Sequence, residues 1–119
     1  MKEIVPGTEA HGRALEHLVA NELRAYLSYR RRDEPLTFFR TTSQLEVDFV
    51  IGDRVAVEVK GSGRVGERDA RAMAALAEDV TLARRVIVCT ERTRRRLDSG
   101  VEVVPVRQFL EELWADELV

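Results

Sequence analysis

The sequence predicts an α/β sandwich in which a central mixed sheet is flanked by helices, in the order α-β-β-β-α-β-(short α)-β-α. Three observations carry that expectation. Apolar residues recur at helical spacing in segments near the start, the middle and the end of the chain. Short runs rich in Val, Ile and Phe, bounded by Gly, Pro and Asp, have the length and composition of strands. Helical and strand-like segments interleave along the chain, the pattern of a sheet packed against helices. With 119 residues, the whole span 1–119 is expected to be one domain with a core of its own.

Pro6-Gly7-Thr8 punctuates the start, and Thr8 is the expected N-cap of a helix over residues 9–31. Leu15, Leu18, Val19, Leu23, Tyr26 and Leu27 form its apolar face, with Glu16 at the margin and Glu22 nearer the middle. Glu22 reads as a structural partner for an arginine. Asp33-Glu34-Pro35 ends this helix, because proline disfavours helical geometry in the residue before it. Strands are expected at 36–41, 45–51 and 55–61, then a flexible loop over 61–66. That loop lacks the full glycine-lysine pattern of a phosphate-binding P-loop. Residues 67–79 read as an alanine-rich helix with Met73, Leu76, Ala77 and Val80 inward. The continuous apolar run 85–90 suits a strand covered on both faces. A short basic helix is expected over 91–97, stopped at Ser99-Gly100, and a last strand over 101–104, ended by Pro105. The closing helix, 107–118, turns Phe109, Leu110, Leu113 and Trp114 inward.

Composition narrows the classes. Charged residues make up 34% and the net charge is −2, so the molecule as a whole does not attract polyanions. No apolar run approaches the length of a membrane span, and no signal-peptide core is visible, so no membrane partner is expected. The one cysteine, Cys89, reads as a small buried hydrophobe, and a cytoplasmic location is expected. His11 and His17 have no cysteine or histidine at metal-ligand spacing. Arginines cluster at 30–32, 84–85 and 92–96, where they serve either as solvated ends balanced by acids or as phosphate contacts.

Two strands carry what their neighbours do not explain. Asp48 lies between Val47 and Phe49, and Glu58 between Val57 and Val59. A carboxylate among apolar residues is costly unless it is paired, hydrogen-bonded or metal-bound. Period-two alternation puts Glu58 and Lys60 on one face, and Glu46 and Asp48 likewise. A two-residue turn at Gly52-Asp53 would set Asp48 against Val57. A three-residue loop or a bulge would set it against Glu58, and Glu46 against Lys60. A joint acid site therefore excludes the simple tight turn. The bland alternative is a neutralised ion-pair cluster of Asp48, Glu58 and Lys60 inside the sheet.

Asp48, a short turn, then Glu58-Val59-Lys60 resembles the signature of the PD-(D/E)XK nuclease superfamily, with Val47 where the motif has its proline. The stretch from Gly12 to Leu23 resembles that fold's first helix, which often adds an acid, here Glu16. More narrowly, the run from Gly12 through Lys60 to Pro105 is similar to the domain of unassigned role that ends many prokaryotic AAA-type ATPases. The resemblance implies a restriction-endonuclease-like fold and a metal-dependent nuclease acting on DNA, with RNA as a second candidate. It implies Mg²⁺ or Mn²⁺ held by Asp48, Glu58, the Val59 carbonyl and Glu16, because carboxylates can bind the ion that neutralises a phosphate and activates water. Lys60 would stand beside the attacking water. Ser62, Arg64, Arg92, Arg94 and Arg95 would contact the nucleic-acid backbone. The other reading is a non-catalytic module that binds nucleic acid, docks beside an AAA-type ATPase domain or pairs as a homodimer.

Overall fold

Helical spacing builds the first element, and the sheet is laid against it. A computed structural model of the chain describes residues 9–61 and 63–119; the expected Thr8 cap and Ser62 lie outside the described residues. Helix α1 (Glu9–Tyr29) buries Leu15, Val19, Ala20, Leu23, Tyr26 and Leu27, one stripe of a 3.6-residue period. Leu18, counted in that stripe by the sequence, is instead 42% exposed, because it falls at the stripe's edge. Glu16 is exposed as well.

Six strands follow: β1 (Leu36–Arg40), β2 (Glu46–Ile51), β3 (Val55–Lys60), β4 (Arg84–Cys89), β5 (Arg95–Arg96) and β6 (Glu102–Pro105). They form one mixed sheet in the order β1-β2-β3-β4-β6-β5. β1, β2 and β3 are antiparallel neighbours, β3 runs parallel to β4 and β4 to β6, and β5 returns antiparallel to β6. Between β3 and β4 a 3₁₀ turn (Glu67–Ala70) leads into α2 (Arg71–Ala77), the crossover a parallel pair requires. Helix α3 (Val106–Trp114) closes the chain. α1 and α3 cover one face of the sheet over Phe49, Ile51, Val57, Val86, Val88 and Val104. α2 covers the other, over Val47, Val50, Ala56, Ile87, Cys89 and Val103. No helix among the described residues is long and apolar enough to cross a membrane.

The expected α/β architecture with a mixed sheet is present, with three corrections. The short basic helix expected over 91–97 is absent; the two residues of β5 pair there with β6 instead. Arg94, Arg95 and Arg96 lack the apolar period that would give a helix a buried face; Arg94 finds acids on β6 and α3, and Arg95 pairs with Glu91 four residues before it. The helix over 67–79 begins as a 3₁₀ turn. The last helix ends at Trp114, and Leu118, still buried, packs beyond it without helical geometry.

The β2–β3 turn takes the longer of the two geometries considered. Phe49 pairs with Val57, Val50 with Ala56 and Ile51 with Val55, so three residues form the loop. Its turn closes with the Arg54 amide donating to the Ile51 carbonyl at 3.0 Å. Gly52 and Asp53 both have positive φ, 58° and 54°, which a glycine–aspartate pair accommodates.

Candidate active site

The register of β2 and β3 aims their acids at each other, but the ladder stops before it reaches them. Carried one step past Phe49–Val57, it would oppose Asp48 to Glu58 and then Glu46 to Lys60. Instead the strands part, and the Val59 amide donates to Asp48 Oδ2 at 2.8 Å. A bulge lies on the other side of β2. Thr37 pairs with Val50 and Phe39 with Val47, so two steps on β1 span three on β2, and Asp48 and Phe49 together oppose Phe38. Bulges re-aim side chains in this way. Val47 and Val50 accordingly both face α2, and Asp48 is released from the regular alternation.

The acids therefore open on two sides of one split. Glu58 and Lys60 line a cleft of about 290 Å³ on the α2 side, with Gln44, Leu45, Glu46, Arg68, Asp69 and Arg71 around it. Asp48 lines hollows on the α1 side, one shared with Glu16 and Glu46. Glu46 borders both openings, and the Asp48 carboxylate sits between them. The expected single row of Asp48, Glu58 and Lys60 on one face is thus replaced by a site that wraps the parted strand ends.

Charge is concentrated here. Burial, then the charges of Asp48, Asp69, Glu46 and Glu16, push the Glu58 carboxyl up to about 8. Burial likewise raises Asp48 to about 6, offset in part by the Val59 amide and reinforced by Glu16 and Glu46. No hydrogen bond or ion pair reaches Glu58 among the described residues. Lys60 turns away from it: its Nζ lies 2.8 Å from Asp69 Oδ1. Asp69 is itself fixed by the Gly66 amide at 2.8 Å. Burial alone would raise Asp69, but the bonds from Lys60 and Gly66 hold it below the usual carboxylate range. The neutralised cluster is not what forms, because the ammonium is spent on a third acid.

Glu46 and Asp69 also line the cleft, Glu46 noted in the sequence only for its face and register and Asp69 not at all. Glu46 shares a strand with Asp48, two residues earlier. Asp69 had a signal: Gly66-x-x-Asp69 has the spacing at which an acid reaches back to cap the first amide of a helical turn. His11, read as inert, is also close, with its Nδ1 donating to the Gly61 carbonyl at 3.1 Å. That bond reflects a close approach in which the Gly61 backbone lies directly on that of Gly12, seating the segment after Lys60 on α1.

The arginines divide. Arg94 pairs with Glu102 at 2.7 Å and Glu112 at 2.6 Å, in a network completed by Arg84 on Glu102 at 2.8 Å. This network lies under α3, two strands from β3. Arg95 pairs with Glu91 at 2.9 Å and donates to the Val65 carbonyl, while Glu91 accepts from the Val65 amide at 2.7 Å. Arg95 therefore clamps the loop that follows Lys60. Arg64 and Arg92 are exposed. Glu22 has a different partner from the arginine expected, accepting from Trp114 Nε1 at 3.3 Å.

The donor chemistry suits a hard cation, since both raised carboxyls would be relieved by one and neither has a cationic side chain against it. Among the described residues no three acids, histidines or cysteines stand together as a ready metal cage. Mg²⁺ needs none, because it keeps several waters and is commonly held by one or two carboxylates. Asp48 and Glu58 are the two half-buried carboxylates here with no cationic side chain against them.

A family model described as a domain of unknown function (DUF4143) matches residues 11–109. No curated protein and no solved structure matches the chain.

Proposed function

The chain belongs to the DUF4143 family, and from that premise we propose that it is a metal-dependent nuclease of the PD-(D/E)XK type that hydrolyses phosphodiester bonds of DNA, with RNA as a second candidate substrate. The observation that carries the reading is Glu58. Half-buried, pushed up to about 8 by burial and by Asp48, it has no cationic side chain against it and opens into a cleft. A structural acid at that depth would be neutralised by a neighbour. An acid kept unpaired at such a cost in stability marks a functional site.

Asp48 and Glu58 would hold the ion, with the Val59 carbonyl and Glu16 beside them. When bound, Mg²⁺ would supply charge to the scissile phosphate and acidity to a water. The rest falls to the chain. The Asp48 carboxylate is oriented by the Val59 amide. Lys60, steadied by Asp69, presents an ammonium at the cleft to the attacking oxygen and to the negative charge that develops on the phosphate. Water adds to phosphorus and loses a proton, the bond to the leaving oxygen breaks, and that oxygen takes a proton up. The arginine clamp on Val65 keeps this lysine segment in place. Arg64 and Arg92, exposed, are available to the backbone of the polymer, as is Ser62 in the sequence. By its resemblance to domains that end AAA-type ATPases, the chain would act in the cytoplasm beside such a motor.

A cleavage assay tests this. Single- and double-stranded DNA are incubated with the protein and Mg²⁺ or Mn²⁺, and the protein is compared with Asp48→Ala and Lys60→Ala. Asp48→Ala should lose both cutting and calorimetric Mn²⁺ binding, whereas Lys60→Ala should stay folded, bind Mn²⁺ and not cut. A parent that binds no divalent ion and cuts nothing would leave the non-catalytic module as the better reading.

A further inference from the structure

The exposed ring of Phe38 speaks to the form of polymer the site takes. Phe38 stands in β1, the edge strand of the sheet, and is 69% exposed. Leu36 packs into the core under α1, so two residues on Phe38 looks out on the same side. Two hollows flank it, of about 270 and 230 Å³, and Asp48 lines both. Glu16 and Arg40 border the first and Arg24 the second. Arg40 is tied to Glu46 at 2.5 Å, whereas Arg24 is exposed and makes no ion pair among the described residues. A lone exposed phenyl ring has no meaning by itself. This one stands opposite the bulge that turns Asp48, between a candidate metal ligand and a spare guanidinium.

We infer that Phe38 is a stacking platform for an unpaired base and that Arg24 takes the adjoining phosphate, so that the site's substrate is single-stranded nucleic acid. The inference rests on the nuclease reading and specifies its substrate. In a duplex each base face is covered by its neighbours, and only an unpaired base can offer one to a protein ring. Stacking of this kind tolerates any base, and one ring contributes roughly 5- to 150-fold in affinity. The phosphate beyond a stacked base would then meet Arg24 on one side and the Asp48 split on the other.

Fluorescence anisotropy of a labelled oligothymidine of about 12 nucleotides, read without divalent ion beside a blunt duplex of equal length, tests it. Phe38→Ala should weaken single-strand binding roughly 5- to 150-fold and leave duplex binding and the melting temperature unchanged, since the ring is exposed. Phe38→Trp should restore affinity, with indole emission quenched by the oligonucleotide beyond what Trp114 alone shows. Arg24→Ala should reduce the slope of log affinity against log salt by about 0.7, the share of one phosphate on a single strand. If the parent cuts DNA but Phe38→Ala binds and cuts as well as the parent, the stacking assignment falls and the nuclease stands. The assignment falls equally if the parent prefers duplex, or if it is a dimer that Phe38→Ala converts to monomer, for then a second copy covers the ring. A parent that neither binds nor cuts overturns both readings together.

Discussion

Replacing Gly61 by alanine tests the seating on α1 of the segment that follows Lys60. A Cβ there would lie 3.0 Å from Gly12 N, 3.6 Å from Gly12 C and nearer still to Gly12 Cα. All three are helix backbone, so no side chain can swing aside, and either α1 or the end of β3 must move. Overpacking costs about 1–3 kcal/mol, and rigid partners put this case at the upper end. For a chain of 119 residues, 1 kcal/mol corresponds to about 4 °C in Tm, so Gly61→Ala should melt about 12 °C below the parent. The reciprocal change behaves oppositely. A Cβ on Gly12 meets nothing within 4 Å, and alanine is the better helix residue by about 0.5–1 kcal/mol, so Gly12→Ala should melt a few degrees higher. Gly66→Ala is the control in the same loop, with open space around it and extended backbone. Calorimetric melting curves of the three variants decide. A Gly61→Ala protein melting at about the same temperature as the Gly66→Ala control would refute the close approach.

The remaining expectations follow from the charges. Asp48 and Glu58 have folded pKa values raised to about 6 and about 8, so the folded state binds more protons than the unfolded one between about pH 4.5 and 8, and stability falls as pH rises through that window. Urea titrations across it should show the decline, and Asp48→Asn with Glu58→Gln should flatten it; an unchanged slope would contradict the burial argument. Glu102, buried and bonded by Arg84 and Arg94, should cost on the order of 3–5 kcal/mol when changed to alanine, seen as a lower urea midpoint with the same m-value. Arg95→Met should release the Val65 clamp, so that hydrogen exchange at the Val65 amide quickens while exchange in β4 does not. Tyr26→Phe removes the hydroxyl that donates to Asp116 at 2.6 Å and should cost about 1 kcal/mol by thermal melting.

The sheet's centre was legible in the sequence because burial leaves a simple trace there. In β4, Val86 to Cys89 are all buried, and a continuous apolar run signals a strand covered twice. The choice between a two- and a three-residue turn followed from asking which one lets Asp48 and Glu58 meet, and the three-residue loop is present. The parting of the strands was not legible, because ladder pairs carry no mark of where they stop. Nor was β5, where Arg95 and Arg96 are strand by virtue of an edge to pair with, which β6 supplies from further along the chain. Nearness in sequence points Lys60 at Asp48 and Glu58. Its partner is Asp69, brought in by the turn ahead of α2. Tertiary placement, rather than residue type, decided that pairing.

The extra residue on β2 makes chain length there a quantity in its own right. On the Ile51 side of Asp48–Phe49, odd-numbered positions face α1; on the Leu45 side they face α2, as Val47 does beside Val50. Exchanging Phe49 for another apolar residue leaves both halves of the strand in phase with their surroundings. Losing one residue at that point would cancel the bulge and restore a single rhythm, with Val47 and Leu45 still turned towards α2 and Ile51 towards α1. Chain length at this point therefore decides whether Asp48 leaves the ladder, while the packing of the sheet on either side is indifferent to it.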